Sequence, residues 1–387
     1  MKKLLALVLA LVMSMSLVTI SNAAYSDKAD IDLKEAVDVL SAVGVFEGSD
    51  GKFDPKANLT REQAAKLVAY LQLSQKSADA LVGGNKFTDV AANRWSAGYV
   101  DYCATTGVVA GVGNGQFNPT GSLTALQFGK MLLVELGYDA KAEGMVGTDW
   151  AINTSKLMAK AKLMDKIDGS VNQVLTREKA AQMCLNALEA PMVTYDTKGS
   201  TIAVDGTKIN FGASVAKYET STVAKDQNIS KEKLTSGEYT VELGEKLYKD
   251  LKKNSTTDAF ERPATEWMLK AKSIGTYADA ADLSYTATVE IGTIYSDLGT
   301  SKKLVYSNDD VDVAHGEENV FAYYADGTIN ASLGKGDIAK GNDQKVGGNG
   351  VLIEVYYDDV ANTAKVVEIN TYGGEVTSCL LYTSPSP

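Results

Sequence analysis

The chain has 387 residues, of which 45% are apolar and 22% charged, and its formal net charge is −11. This composition excludes a disordered chain, a collagen-like chain and a small disulfide-rich domain, and the length predicts about two or three domains. An acidic chain lacks the positive field that gathers nucleic acid, so no nucleic-acid partner is expected. The chain has only three cysteines and one histidine, so few residues are available for a zinc site or for a histidine-based triad.

Residues 1–23 have the pattern of a secretory signal. Lys2 and Lys3 precede an apolar run over residues 4–18, and Ser21-Asn22-Ala23 is a small-residue cleavage site. The run is shorter than the roughly 20 residues of a transmembrane helix. We therefore expect an exported chain whose mature form has no membrane span.

The last nine residues, 379–387, differ from everything before them. They resemble the translation of an adapter used in sequencing libraries, which would leave Cys379 without biological meaning and the natural chain continuing past Ser378. An ordinary flexible C-terminus is the alternative. Cys103 and Cys184 lie in apolar helical patterns and are expected to be buried free thiols, although a disulfide between them stays open.

Three related segments occupy residues 25–73, 86–138 and 147–191. The pattern Phe-x-Pro followed by Leu-Thr in residues 53–60 recurs in residues 117–124. The third segment keeps Leu-Thr at 175–176 but lacks the Phe and Pro, so it is degenerate. Such repeats predict units that bury their apolar faces against one another.

Each segment has the pattern of two helices joined by a loop. Gly44 and Gly107 follow the first helical pattern, where a left-handed residue ends a helix at little cost. A turn follows at Asp50-Gly51 and at Asn114-Gly115. In the first two segments the second helix begins at a threonine, Thr60 or Thr124, that is followed three places later by glutamine, which is the spacing of a capping box.

These motifs resemble the S-layer homology family, the three-repeat modules of bacterial cell-surface proteins. The resemblance rests on Phe87-x-Asp89 with Trp95, on Gly-x-x-x-Gly turns such as the one ending at Gly111, and on Leu-Thr-Arg-Glu at 59–62 and 175–178. It implies helix-loop-helix units around a pseudo-threefold axis, with binding grooves between neighbours. It also implies a secreted protein of the cell wall or S-layer whose partner is secondary cell-wall polysaccharide, often carrying a pyruvylated amino sugar. The family often has Thr-Arg-Ala-Glu, whereas the Glu comes one place earlier here.

The chemistry of such binding suggests which residues take part. A helix N-terminus and an arginine fork suit a carboxylate, and an exposed tryptophan suits a sugar face. A plain solvated helix start and core packing are the alternatives. The second segment has Ala125 and Leu126 where the others have Arg and Glu, so the first and third segments are expected to carry the polymer contacts. The candidate polysaccharide-binding residues are Thr60, Arg61, Glu62, Asp89, Trp95, Gly111, Trp150, Thr176, Arg177 and Glu178.

In residues 192–378 the apolar residues recur at every second position instead of at helical spacing. This pattern predicts a mostly antiparallel β region, a sandwich or a barrel, that is truncated at its C-terminal side. Hairpins are expected within residues 201–211 and 351–369. The fold class is thus multi-domain α + β, with an N-terminal helical triple repeat followed by β structure.

The β region shows little catalytic chemistry. Its histidine, His315, is expected in a surface loop, and no G-x-S-x-G, phosphate-loop or H-E-x-x-H motif is present. Asp309, Asp310 and Asp312 could ligate calcium, but a solvated acidic turn is favoured and no cofactor is expected. The sequence predicts a non-enzymatic surface protein whose β region faces outward or joins a surface array. A wall-tethered glycan hydrolase with its catalytic domain past Ser378 and an adhesin are the alternatives.

Overall fold

The structure is a computed structural model, and it describes residues 25–197, 200–204, 207–211, 214–222, 234–311, 318–330 and 336–371. The predicted signal at 1–23, Asp312, His315 and the tail at 379–387 lie outside the described residues.

The first part of the chain is helical. The helices are α1 (Lys34–Ala42), α2 (Arg61–Leu73), α3 (Gln75–Ala78), α4 (Ala97–Thr105), α5 (Ala125–Glu135), α6 (Trp150–Lys160), α7 (Arg177–Glu189), α8 (Leu243–Leu247) and α9 (Ile291–Leu298). No helix among the described residues is both long and apolar enough to cross a bilayer.

The predicted helix signals are confirmed where they are local. Helices α2 and α5 begin with complete capping boxes, formed by Thr60 with Gln63 and by Thr124 with Gln127. The glycines that follow α1 and α4, Gly44 and Gly107, have φ of 77° and 80°. The third threonine, Thr176, makes no cap, and its buried hydroxyl has no hydrogen-bond partner among the described residues.

A closed ring of hydrogen bonds joins the starts of α2, α5 and α7. The amide of Leu59 donates to the carbonyl of Leu175 (2.8 Å), Leu175 to Leu123 (3.0 Å), and Leu123 back to Leu59 (3.4 Å). All three side chains are fully buried. Around this ring, α2 packs on α4, α5 on α6, and α7 on α1, so each second helix contacts the first helix of another segment.

The two described thiols lie in this helical core. Cys103 and Cys184 are both free and buried, as expected. Burial raises the pKa of Cys103 to about 12 and raises that of Cys184 as well. Both thiols are therefore protonated and unreactive at neutral pH.

Strands dominate after Pro191. They are β1 (Val193–Thr194), β2 (Ser200–Val204), β3 (Thr207–Phe211), β4 (Lys217–Tyr218), β5 (Thr220–Ser221), β6 (Tyr239–Thr240), β7 (Leu251–Thr257), β8 (Pro263–Leu269), β9 (Lys272–Ala278), β10 (Leu283–Tyr285), β11 (Val289–Glu290), β12 (Val305–Tyr306), β13 (Val320–Ala325), β14 (Thr328–Ile329), β15 (Lys345–Val346), β16 (Val351–Asp358) and β17 (Thr363–Asn370).

Most strand pairs are antiparallel, and both predicted hairpins form, as β2–β3 and β16–β17. The largest sheet has the order β10-β16-β17-β13-β12, with β14 on β13. Its pairs β13–β17 and β12–β13 are parallel, which the sequence pattern did not predict. Among the described strands this sheet is open, with β10 and β12 at its ends, so it is not a closed barrel, and a sandwich stays a prediction. The mixed α and β content is confirmed.

The chain divides into two compact units. The first comprises Met1–Asn254 and Glu266–Gly275, and the second comprises Ser255–Thr265 and Thr276–Pro387. The finer domain boundaries expected from the sequence stay predictions.

Candidate functional site

Arg61, the first residue of α2, reaches the loop that precedes α5. Its Nε donates to the carbonyl of Phe117 (2.8 Å) and its Nη2 to that of Ala110 (2.9 Å). The guanidinium carbon lies 4.6 Å from the centre of the Phe117 ring. Arg61 thus braces a neighbouring loop with two of its three nitrogens.

Arg177, the first residue of α7, does the same in another segment. Its Nε donates to Phe53 (2.8 Å) and its Nη2 to Glu47 (3.0 Å), and the guanidinium lies over the Phe53 ring at 5.0 Å. Burial lowers the pKa of both arginines, yet each stays charged at any physiological pH. Neither Nη1 has a hydrogen-bond partner in the part of the chain that the structure describes, so each arginine keeps a donor for a ligand.

The helix N-termini are occupied, contrary to the expected free amides. In α2, the amide of Arg61 donates to Gly121 (2.9 Å) and that of Glu62 to Pro119 (3.0 Å). In α7, the amides of Arg177 and Glu178 donate to the loop before α2 at 2.9 and 3.1 Å. A bound carboxylate would therefore depend on side chains rather than on the first amides of the helix.

Glu62 and Glu178 are buried and paired within the protein. Glu62 accepts two hydrogen bonds from Arg94, both at 2.8 Å, and one from Ser96 at 2.6 Å. Glu178 accepts from Lys56 (2.6 Å). These contacts join neighbouring segments and leave little of either carboxylate for a ligand.

Asp89 organises a loop. Its carboxylate accepts the amides of Phe117 (2.8 Å) and Asn118 (2.7 Å). Burial raises the pKa of Asp89, but these hydrogen bonds outweigh it and hold the pKa below its usual value. Asp27 makes the same contacts with the amides of Phe53 and Asp54, at 2.9 and 2.8 Å. Sequence reasoning missed Asp27, although Tyr25-Ser26-Asp27 has the aromatic-x-Asp pattern of residues 87–89.

Trp95 and Arg177 share a small cavity, which we call the first groove. Its volume is about 150 Å³, and its lining residues are Val45, Phe46, Glu47, Leu59, Gln63, Lys66, Leu67, Trp95 and Arg177. Trp95 is 53% exposed, so its ring is available to a sugar face. The first groove thus combines an aromatic platform, two cations and an amide, and takes residues from all three segments.

The equivalent positions of the next segments define what we call the second groove: Arg61, Ala110, Gln127, Lys130 and Trp150. Lys130 follows the Thr124 cap as Lys66 follows Thr60. Its Nζ lies 5.9 Å from the centre of the half-buried Trp150 ring. Arg61 and Trp150 therefore stand at the positions that correspond to Arg177 and Trp95 of the first groove.

The third set of equivalent positions has neither the arginine nor the tryptophan. Ala125, fully buried, stands at the arginine position. Asp32 stands near the tryptophan position and forms a salt bridge with Lys56. This set offers a saccharide no cation from the arginine position.

Gly111 serves close packing, and this gives a testable prediction. A Cβ there would lie 2.6 Å from the carbonyl oxygen of Gln116 and 2.9 Å from Cε1 of Phe87. Because the backbone contact cannot relax cheaply, we expect Gly111→Ala to lower the free energy of unfolding by about 1–3 kcal/mol. Chemical denaturation measures this change. An unchanged unfolding midpoint would contradict the packing role.

Of the three acidic residues named as a less favoured calcium site, Asp309 and Asp310 lie among the described residues and Asp312 does not. Asp310 forms a salt bridge with the buried Lys365 (3.0 Å) and accepts a hydrogen bond from Tyr324. No group of three or more acidic, histidine or cysteine side chains suited to a metal occurs among the described residues.

Comparison with known proteins gives a consistent picture. The S-layer homology domain matches residues 24–65 and 86–125, ranges that do not include the third segment. A cell surface protein of Thermoanaerobacter kivui is 28% identical over 257 residues, which cover 60% of this chain and 30% of that protein. The middle cell wall protein of Brevibacillus brevis (strain 47) is 25% identical over 182 residues, covering 47% of this chain and 17% of that protein. A surface layer protein of Brevibacillus choshinensis is 26% identical over 119 residues, covering 30% of this chain and 11% of that protein.

These matches confirm two expectations. The chain contains S-layer homology domains, and it is a secreted protein of the cell wall or S-layer. The chain spans less than a third of the length of each of these relatives. None of the three names is that of an enzyme.

Proposed function

We propose that this chain is a non-enzymatic structural protein of the cell surface, held to the wall by its three N-terminal segments. The segments form a pseudo-threefold module, and two of its grooves bind secondary cell-wall polysaccharide bearing a pyruvylated amino sugar. The β region beyond the module takes part in a surface array of copies.

The single observation that carries this proposal is the joint lining of the first groove by Trp95 and Arg177. A flat exposed ring suits the apolar face of a sugar, and a guanidinium with a spare donor suits its carboxylate. The cyclic hydrogen bonds of Leu59, Leu123 and Leu175 support the pseudo-threefold arrangement.

The proposal predicts retention by purified cell walls that is lost when the secondary polymer is stripped from them. We expect the double variant Trp95→Ala, Trp150→Ala to bind at least about tenfold more weakly, because each groove loses its stacking surface. Trp95 is largely exposed and Trp150 half-buried, so the fold should survive, and circular dichroism checks this. The measurement is a sedimentation assay over a range of wall concentrations.

The arginines need a separate variant, because they also brace loops. Arg61→Lys with Arg177→Lys keeps both charges but loses the planar fork, and we expect weaker retention with modest loss of stability. Lys303→Ala, which removes an exposed ion pair with Asp337, is the matched control. Parent-like retention by both the tryptophan and the arginine variants would contradict the assigned grooves.

A further inference from the structure

The two grooves differ in charge at two matched positions. Glu47 and Ala110 are equivalent, because the carbonyl of each accepts the Nη2 of the bracing arginine. Asp54 and Asn118 are also equivalent, since each has a left-handed backbone, with φ of 56° and 59°, and directly follows the braced phenylalanine. The first groove therefore carries the carboxylate of Glu47, and its Arg177 has the further carboxylate of Asp54 nearby, whereas the second groove has neither.

In the first groove these carboxylates compensate the cations. Glu47 accepts a hydrogen bond from Lys66 Nζ at 3.0 Å. The negative charges of Asp54 and Asp27 both favour the charged form of Arg177. An anionic ligand would have to compete with carboxylates that already face both cations.

In the second groove the cations are less compensated. Lys130 has no salt bridge among the described residues, and it lies over the Trp150 ring in a half-buried position. Burial lowers its pKa, as expected for a cation without a nearby carboxylate. The negative charge of Asp89 favours the charged form of Arg61, as that of Asp27 does for Arg177. A bound carboxylate would supply the negative charge that Glu47 and Asp54 supply to Lys66 and Arg177.

We propose that the two grooves are specialised by affinity: the second groove is the tighter site for the carboxylate-bearing sugar of the wall polymer, and the first groove, whose lysine already has a carboxylate partner, is the weaker site. This proposal rests on the proposed function, since it divides that function between two sites. It makes Glu47 and Ala110 the residues that determine how tightly each groove binds the acidic sugar.

The three tryptophans of the chain allow each groove to be followed separately. The indole N–H signals of Trp95 and Trp150 report on the first and second grooves in heteronuclear NMR spectra. Trp267 is fully buried, and its indole donates to Glu35 at 2.9 Å, so its signal is the internal control. The probes are the methyl glycoside of a pyruvylated amino sugar and the methyl ester of the same compound, which is uncharged.

We expect the acid to shift the Trp150 signal with a dissociation constant about tenfold lower than for Trp95, the effect of roughly one charge contact. The ester should remove this preference. Ala110→Glu, which gives Lys130 a carboxylate partner, should raise the dissociation constant of the acid at Trp150 by about tenfold. Glu47→Ala should lower the dissociation constant of the acid at Trp95. Both positions are exposed and keep their backbone carbonyls, so folding should be preserved.

Three results would overturn the specialisation: equal acid affinity at both tryptophans, tighter binding at Trp95, or no shift of either signal. So would reciprocal variants that leave both affinities unchanged. Retention on intact but not on stripped walls, found together with any of these, would leave the anchoring function standing and refute only the division between the grooves.

Discussion

Replacing Arg94 with methionine should lower the free energy of unfolding by about 3 kcal/mol at neutral pH, because it leaves a buried carboxylate without its partner. The side chain of Glu62 is only 6% exposed, and Arg94 contacts both of its oxygens. Burial raises the pKa of Glu62, but the hydrogen bonds from Arg94 and Ser96 outweigh it, and the pKa is lower than usual. Without Arg94 the burial effect remains and that compensation is gone.

Denaturant unfolding of the parent and the variant at about pH 7 and about pH 4 measures this effect. The difference should shrink at the lower pH, since a protonated Glu62 no longer needs the arginine. Glu62→Leu added to Arg94→Met should restore most of the stability, because the second segment already has a buried leucine, Leu126, at the equivalent position. Lys246→Met, which removes an exposed pair with Glu219, is the control and should change stability by less than about 1 kcal/mol. A loss of the same size in the control would contradict the special role of the buried pair.

The parts of the fold that local sequence determines could be predicted. The caps at Thr60 and Thr124 depend on residues three places apart, and both form. The two hairpins depend on alternation around a turn, and both pair as expected. The parallel pair β13–β17 could not be predicted in this way, because its strands are separated in the chain by β14, β15 and β16.

The candidate residues could be chosen from the sequence by their type, but their contacts could not be predicted. Arg61 and Arg177 were chosen for their position at a helix start, yet their partners are carbonyls on other segments. Pairing of Glu62 with Arg94 likewise depends on the packing of α2 against α4, which no local pattern encodes. Joining Arg177 to Trp95 in one groove requires the third segment to meet the first and second, and only the closed ring of segments brings that about.

A second buried carboxylate has a different environment and a different consequence. Glu135, near the end of α5, is 7% exposed, and among the described residues its carboxylate accepts a hydrogen bond from the Nε2 of Gln72 at 2.7 Å. Burial raises the pKa of Glu135 to about 8, which the Gln72 hydrogen bond only partly offsets. The other titratable groups on which its charge acts, Tyr102, Cys103 and Cys184, are neutral at this pH. The Oε1 of Gln72 is buried without a hydrogen-bond partner among the described residues, so a neighbouring protonated carboxyl would be a suitable donor.

Glu135 should therefore make the protein less stable as the pH rises. An acid whose pKa is raised in the folded state contributes its full stability below the unfolded pKa of about 4.5, and this contribution is lost as the pH rises to about 8. Glu135→Gln removes this dependence while keeping an acceptor for Gln72. We expect its free energy of unfolding, relative to the parent, to increase between about pH 5 and pH 8 by up to about 4 kcal/mol and then to level off. Denaturant unfolding at several pH values measures the difference, and a difference that stays constant over this range would show that Glu135 is already ionised in the folded protein.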